Sequence, residues 1–168
     1  MFGTTPQQLR NDLRESNKAD IKRRRGIVVI SLAGLAGMAA VTLLQTGLIR
    51  RLCDLPVEGF DAEKVTLSND AYQFGAPDAA LASASLSANL PLAAFGGEDR
   101  ARDLPLVPLV SAAKAAADTV VAGWSFYRMI HKEKAWCSYC MLGGMANIGV
   151  LALAIPEAIR ALRALKGD

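Results

Sequence analysis
Cys137 and Cys140, two thiols separated by Ser138 and Tyr139, are the residues of this chain whose type and spacing point most directly to chemistry. A Cys-x-x-Cys pair closes readily into a disulfide, and at a helix start the unpaired amides and the helix dipole stabilise the thiolate that carries out exchange. The pair opens an apolar run that reaches residue 156. The reading is therefore a reversible dithiol at one end of an apolar helix. Its two electrons need an acceptor, and inside a bilayer a quinone is the obvious one. Two other uses stay open at this level. Cys53, His131, Cys137 and Cys140 together offer three thiolates and an imidazole to a metal, although they come from three regions without a second closely spaced pair. Free cysteines are also common as small buried packing residues.

The elements that must position these thiols are written in the charge distribution. Of the 168 residues 52% are hydrophobic before the 14 glycines are counted, whereas soluble domains reach roughly 45–50% with glycine included. The 19 Lys and Arg and 16 Asp and Glu are almost absent from four segments, 27–49, 79–97, 104–127 and 135–156, which retain only Lys114 and Asp118. Expulsion of charge from runs of this length is the mark of membrane spans and excludes a soluble enzyme, a disordered tail and a disulfide-rich secreted miniprotein. The expected fold is an all-α integral membrane protein, a four-transmembrane-helix bundle with a long external loop between the first two helices. Lys114 and Asp118 stand four apart on one helical face, where each can neutralise the other. The second span, with Ser83, Ser85, Ser87, Asn89 and Pro91, suits the inside of a bundle better than lipid.

Three parts follow: a polar cytoplasmic segment 1–26, the membrane domain 27–157 and a basic amphipathic tail 158–168. Thr5-Pro6-Gln7-Gln8 predicts a helix start in the first part. The first apolar run is too long for a signal peptide and lacks a clear cleavage site, so it reads as a retained anchor. With both termini inside, twelve Lys and Arg flank the spans on the inner side and six on the outer, the expected bias for a multi-pass protein of the inner membrane. The Lys22–Arg25 run is an orientation and anionic-lipid signal rather than a nucleic-acid site. Trp124, Phe126, Tyr127, Trp136 and Tyr139 form an aromatic belt at the outer interface, and Gly34 and Gly37 allow close helix contact.

Four spans, a long loop after the first and a Cys-x-x-Cys at the outer end of the fourth resemble the vitamin K epoxide reductase family. Residues 64–77, Lys-Val-Thr-Leu-Ser-Asn-Asp-Ala-Tyr-Gln-Phe-Gly-Ala-Pro, are similar to the series that leads into the second span of bacterial members. The resemblance covers about residues 27–157. It implies a four-helix bundle around a quinone of the ubiquinone or menaquinone type, reduced with electrons from thiols. On that resemblance Cys140 faces the quinone and Cys137 is its exchange partner. Ser68 falls near the quinone, and Phe74, Gly75 and Pro77 shape the approach to span two. Trp136 can stack on the ring, and Asn147, two turns beyond Cys140, can hydrogen-bond a quinone oxygen. Gly144 stands where animal members place a tyrosine, leaving space.

The loop departs from the pattern. Ala62 occupies the place of a loop cysteine, and Cys53 has no loop partner. Electrons would then reach Cys137 directly from an external, thioredoxin-like periplasmic thiol protein. The alternative is a redox-silent membrane subunit that binds lipid or quinone or joins a larger membrane complex.

Overall fold
The computed structural model describes residues 5–72 and 75–167. Among the described residues seven α-helices follow one another: α1 (Pro6–Glu15), α2 (Ala19–Gln45), α3 (Ala62–Thr66), α4 (Asp78–Ala94), α5 (Arg100–Asp103), α6 (Leu106–Arg128) and α7 (Ser138–Lys166). A 3-10 turn at Asn69–Tyr72 follows α3, and a π turn at Met129–Glu133 ends α6. There is no strand among the described residues, only an isolated bridge between Phe60 and Trp136.

Local chemistry sets the ends of these elements. Thr5 and Gln8 cap α1 reciprocally, each satisfying an orphan amide of the first turn. Nothing between Ala19 and Gly26 breaks a helix, so α2 begins ahead of its apolar run and takes the basic residues 22–25 into its first turns. Lys134 adopts the left-handed conformation (φ 49°) and reverses the chain from the π turn toward α7. α7 runs through Pro156 to Lys166, so the basic tail continues the same helix.

Among the described residues three helices are long and apolar enough to cross a membrane: α2, α6 with its π turn, and α7. α4 has 17 residues, which places it at the short end of the range for a span. α2 packs against both α4 and α7, and α6 packs against α7. Small residues make the α2–α7 contact close. A Cβ on Gly34 would lie 2.7 Å from that of Ala146, and one on Gly143 would lie 3.0 Å from Met38. Outward-facing Val29, Leu32, Val110, Val120, Met145 and Ile155 leave an apolar surface of the kind lipid covers.

At the end of the bundle near the termini, a buried charge cluster ties four elements together. Arg100, 1% exposed, makes a two-pronged hydrogen bond to Glu157 on α7, both contacts at 2.8 Å. Arg24 on α2 lies 3.3 Å from the same carboxylate. The guanidiniums also donate to carbonyls at and just past the end of α4, Arg100 to Leu92 and Phe95 and Arg24 to Gly96 and Gly97. Midway along the bundle Lys114 and Asp118 form the expected ion pair at 2.6 Å.

Candidate dithiol site and cavity
Cys137 is the N-cap of α7, with extended backbone, and its Sγ accepts the Cys140 amide at 3.1 Å. A sulfur in that position receives one of the unpaired first-turn amides, which favours its thiolate. No disulfide joins the two sulfurs in this structure, and Cys140 lies in the first turn of α7.

The two thiols face different surroundings. Cys140 borders a cavity of about 440 Å³ enclosed by α2, α4, α6 and α7. Its walls are mostly apolar, with Met38, Val41, Leu86 and Val121 among them. Its polar groups are the minority: Thr66, Asp78, Ser125 and Arg128 toward the Cys140 end, and Ser85, Asp118 and Asn147 deeper in. Cys137 is fully buried, at 0% exposure, in a cluster with Ala62, Val65, Met129 and Ala135.

A loop clasp accounts for that burial. The amide of Trp136 donates to the Gly59 carbonyl at 2.8 Å, and the Asp61 amide donates back to Trp136 at 2.9 Å. The Tyr139 hydroxyl donates to the Cys53 carbonyl at 2.5 Å, and Glu63 accepts the Leu52 amide at 3.1 Å. Segment 52–61 is thus pinned across the start of α7. With Cys137 at 0% exposure, a reagent in solution reaches its sulfur only through local opening. Replacing Tyr139 with Phe removes one pin, whose net worth is about 1 kcal/mol, so alkylation of Cys137 should accelerate about fivefold. Peptide mass spectrometry after timed alkylation measures it, and an unchanged rate would show that this hydroxyl does not hold the clasp shut.

At the cavity's outer end, Arg128 is buried and donates to the Asp70 carbonyl at 2.8 Å, with Asp78 at 3.4 Å. Asp78 in turn accepts from Gln45, which also donates to the Thr66 carbonyl. Outside the membrane-spanning part, the Lys132 ammonium bonded to Asp70 holds that carboxyl below its ordinary value.

The residues singled out in the sequence are not all brought together. Cys140 and Asn147 share the cavity, and the Asn147 Oδ1 has no hydrogen-bond partner. Ser68 lies just beyond the cavity-lining Val65 and Thr66, with its own Oγ buried and unpartnered. Trp136 is engaged with the loop rather than with the cavity wall. Phe74 lies outside the described residues. The space expected beside Gly144 belongs to Phe126, whose ring would lie 2.5 Å from a Cβ there. His131 packs on Tyr127, and no group of three or more His, Cys, Asp or Glu side chains converges among the described residues. Sequence reasoning missed Arg128 and Asp78. Both are charged residues at the ends of apolar runs, where a flank and a cavity wall look the same.

A helical protein whose long apolar helices enclose a cavity with one thiol of a Cys-x-x-Cys pair in its wall is a membrane protein built around a dithiol. Residues 26–155 match the model of the Vitamin K epoxide reductase family. The chain belongs to that family, which makes a membrane thiol–disulfide oxidoreductase its general class. A comparison with curated proteins gives no match.

Proposed function
We propose that this protein passes electrons from an external thiol protein of thioredoxin type through Cys137 and Cys140 to a membrane quinone. The position of Cys140 carries the reading. It borders a cavity of about 440 Å³ while its hydrogen-bonded partner Cys137 faces the loop. The volume lies within the roughly 300–1,000 Å³ of small-molecule sites, and few polar groups in an apolar wall are what such ligands meet.

The residues fit a quinone of the ubiquinone or menaquinone type. The walls suit an apolar ring and tail, and Asn147, which lines the cavity, has a side-chain N–H to donate to a ring oxygen. Ser68 belongs to the rim of the site, and Phe74 joins it on the family resemblance. Trp136 covers Cys137. A quinone bound there supplies a two-electron acceptor. The protein's own step is exchange: a donor thiolate attacks Cys137, the Cys137–Cys140 bond opens, and Cys140 leaves as a thiolate on the cavity side. The donor's second thiol then frees Cys137.

This reading takes α4 as a fourth crossing helix. It buries Ala79, Leu86 and Asn89 inward and turns Leu81 outward. Both termini lie on the cytoplasmic side of the inner membrane, in keeping with the basic flanks, and residues 50–78 lie outside, where they meet the thiol partner.

A second reading, a redox-silent membrane subunit that holds lipid or quinone or joins a larger complex, is favoured by two observations. Ala62, which on the family resemblance stands where a loop cysteine is expected, packs beside Cys137, and Cys137 is wholly covered. Thiol labelling in native membranes decides between them. A cycling pair shows Cys137 and Cys140 partly oxidised and fully reduced after quinone depletion. A pair that stays reduced under both conditions sinks the oxidoreductase reading.

A further inference from the structure
The Lys114–Asp118 pair does more than cancel its own charge. Asp118 borders the cavity and accepts the Ser85 hydroxyl at 2.8 Å. Lys114 also donates to the Ser85 carbonyl and to Asn89 Oδ1, the latter at 2.7 Å. Asn89, 3% exposed, donates onward to Ser31 on α2 at 3.2 Å. On its other side Asn89 borders a second, small void of about 10 Å³, close to the space of one water. That void is also walled by Ser111, whose buried Oγ has no partner, and by Arg100 and Glu157.

A polar seam therefore runs through an otherwise apolar bundle, from the charge cluster near the termini to the inner part of the cavity. The thiols lie at the opposite end. The other charged or titratable groups facing these two spaces are Asp78, Arg128 and Cys140 outside and Arg100 and Glu157 inside. Both of the latter are committed to each other. A mutually neutralising pair needs no cavity wall, no asparagine relay and no unpartnered serine beyond it.

Resting on the oxidoreductase reading above, we propose that Lys114 and Asp118 deliver a proton from the cytoplasmic side to the quinone. Closing the Cys137–Cys140 disulfide releases two electrons and two protons, and a quinone needs two of each to become a quinol. Cys140, reprotonated after the exchange by a proton that the donor dithiol releases, gives that proton to the nearer oxygen. Cys137 loses its proton to outer water. The second proton for the quinone comes from the Lys114 ammonium through the Asp118 carboxylate, and Lys114 recovers one through the void beside Asn89. Each turnover then takes one proton from inside and releases one outside.

The test uses the full-length protein in phosphatidylethanolamine and phosphatidylglycerol vesicles with a short-chain ubiquinone, a trapped pH dye and an impermeant dithiol added outside. The wild type should consume about one luminal proton per quinone reduced, and Asp118→Asn should slow turnover about 100-fold, as loss of a positioned proton donor does. Because Asp118→Asn leaves Lys114 uncompensated, the neutral double variant Lys114→Gln/Asp118→Asn is measured beside it with the same expectation. Fluorescence quenching by a quinone analogue should give a Kd within about threefold of wild type for the double variant, and the infrared carboxyl band that shifts on analogue binding should be absent from it. Wild-type turnover and luminal uptake in the double variant would overturn the relay alone. A wild type that reduces no quinone would overturn the oxidoreductase reading and the relay with it.

Discussion
Cys140→Ser abolishes dithiol-dependent quinone reduction, with the rate falling at least about 1,000-fold, to background. Removing a residue that acts as half of a unit costs nearly as much as removing the unit. Cys137→Ser gives the same loss, yet the two variants fail differently. With Cys140 gone, Cys137 still enters a mixed disulfide with the donor and nothing resolves it from the cavity side. A donor adduct should therefore accumulate on Cys140→Ser and be absent from Cys137→Ser. Non-reducing electrophoresis reads this directly after incubation with a single-cysteine thioredoxin-like donor activated as its thionitrobenzoate disulfide, which has no second thiol to free Cys137. Activity in either variant equal to wild type would refute the assignment, and adducts on the wrong cysteine would reverse the two roles. The asymmetry follows from position: Cys137 packs among loop residues, whereas Cys140 borders the cavity.

The second large effect is on stability. Glu157→Ala leaves the guanidiniums of Arg24 and Arg100, 2% and 1% exposed, without their shared carboxylate. Breaking a buried ion pair by removing one partner costs about 3–5 kcal/mol, because a charge stays buried and uncompensated. Two like charges place this site toward the upper end. Thermal unfolding in detergent should show the loss with the cavity residues untouched. A triple variant, Arg24→Met, Arg100→Met and Glu157→Leu, should recover part of it, since an apolar replacement of a buried ionic cluster is often neutral. Recovery stays partial because the two arginines also hold the carbonyls at the end of α4. A melting temperature unchanged by Glu157→Ala would show that water reaches the cluster and the carboxylate is dispensable.

The sequence made some of this legible and hid the rest for physical reasons. Expelled charge located the apolar helices, because that pattern comes from the solvent and needs no tertiary contact. The Thr5–Gln8 cap and the Lys114–Asp118 pair were legible because both depend on spacings of three or four residues within one helix. Cys140 and Asn147, seven apart on α7, share one cavity for the same local reason. Arg24, Arg100 and Glu157 were hidden: each sits at the end of an apolar run, and only the packing of α2, α5 and α7 makes them one buried cluster. The length of α4 was overread at its far end, where Phe95 and Gly96 are apolar or small yet leave the helix after Ala94. The burial of Cys137 could not be read at all, since it depends on a loop some eighty residues away.

That covered sulfur has a kinetic consequence. When a nucleophile is reached only through the lifting of a segment, and closing is slower than capture, the exchange rate equals the opening rate and ceases to depend on how much donor is present. Small thiols then gain nothing from abundance. On the proposed function, a protein able to engage the clasp at residues 59–61 and raise its opening frequency would gain everything, and selection among electron donors would be made by the hinge of a loop before any sulfur is touched.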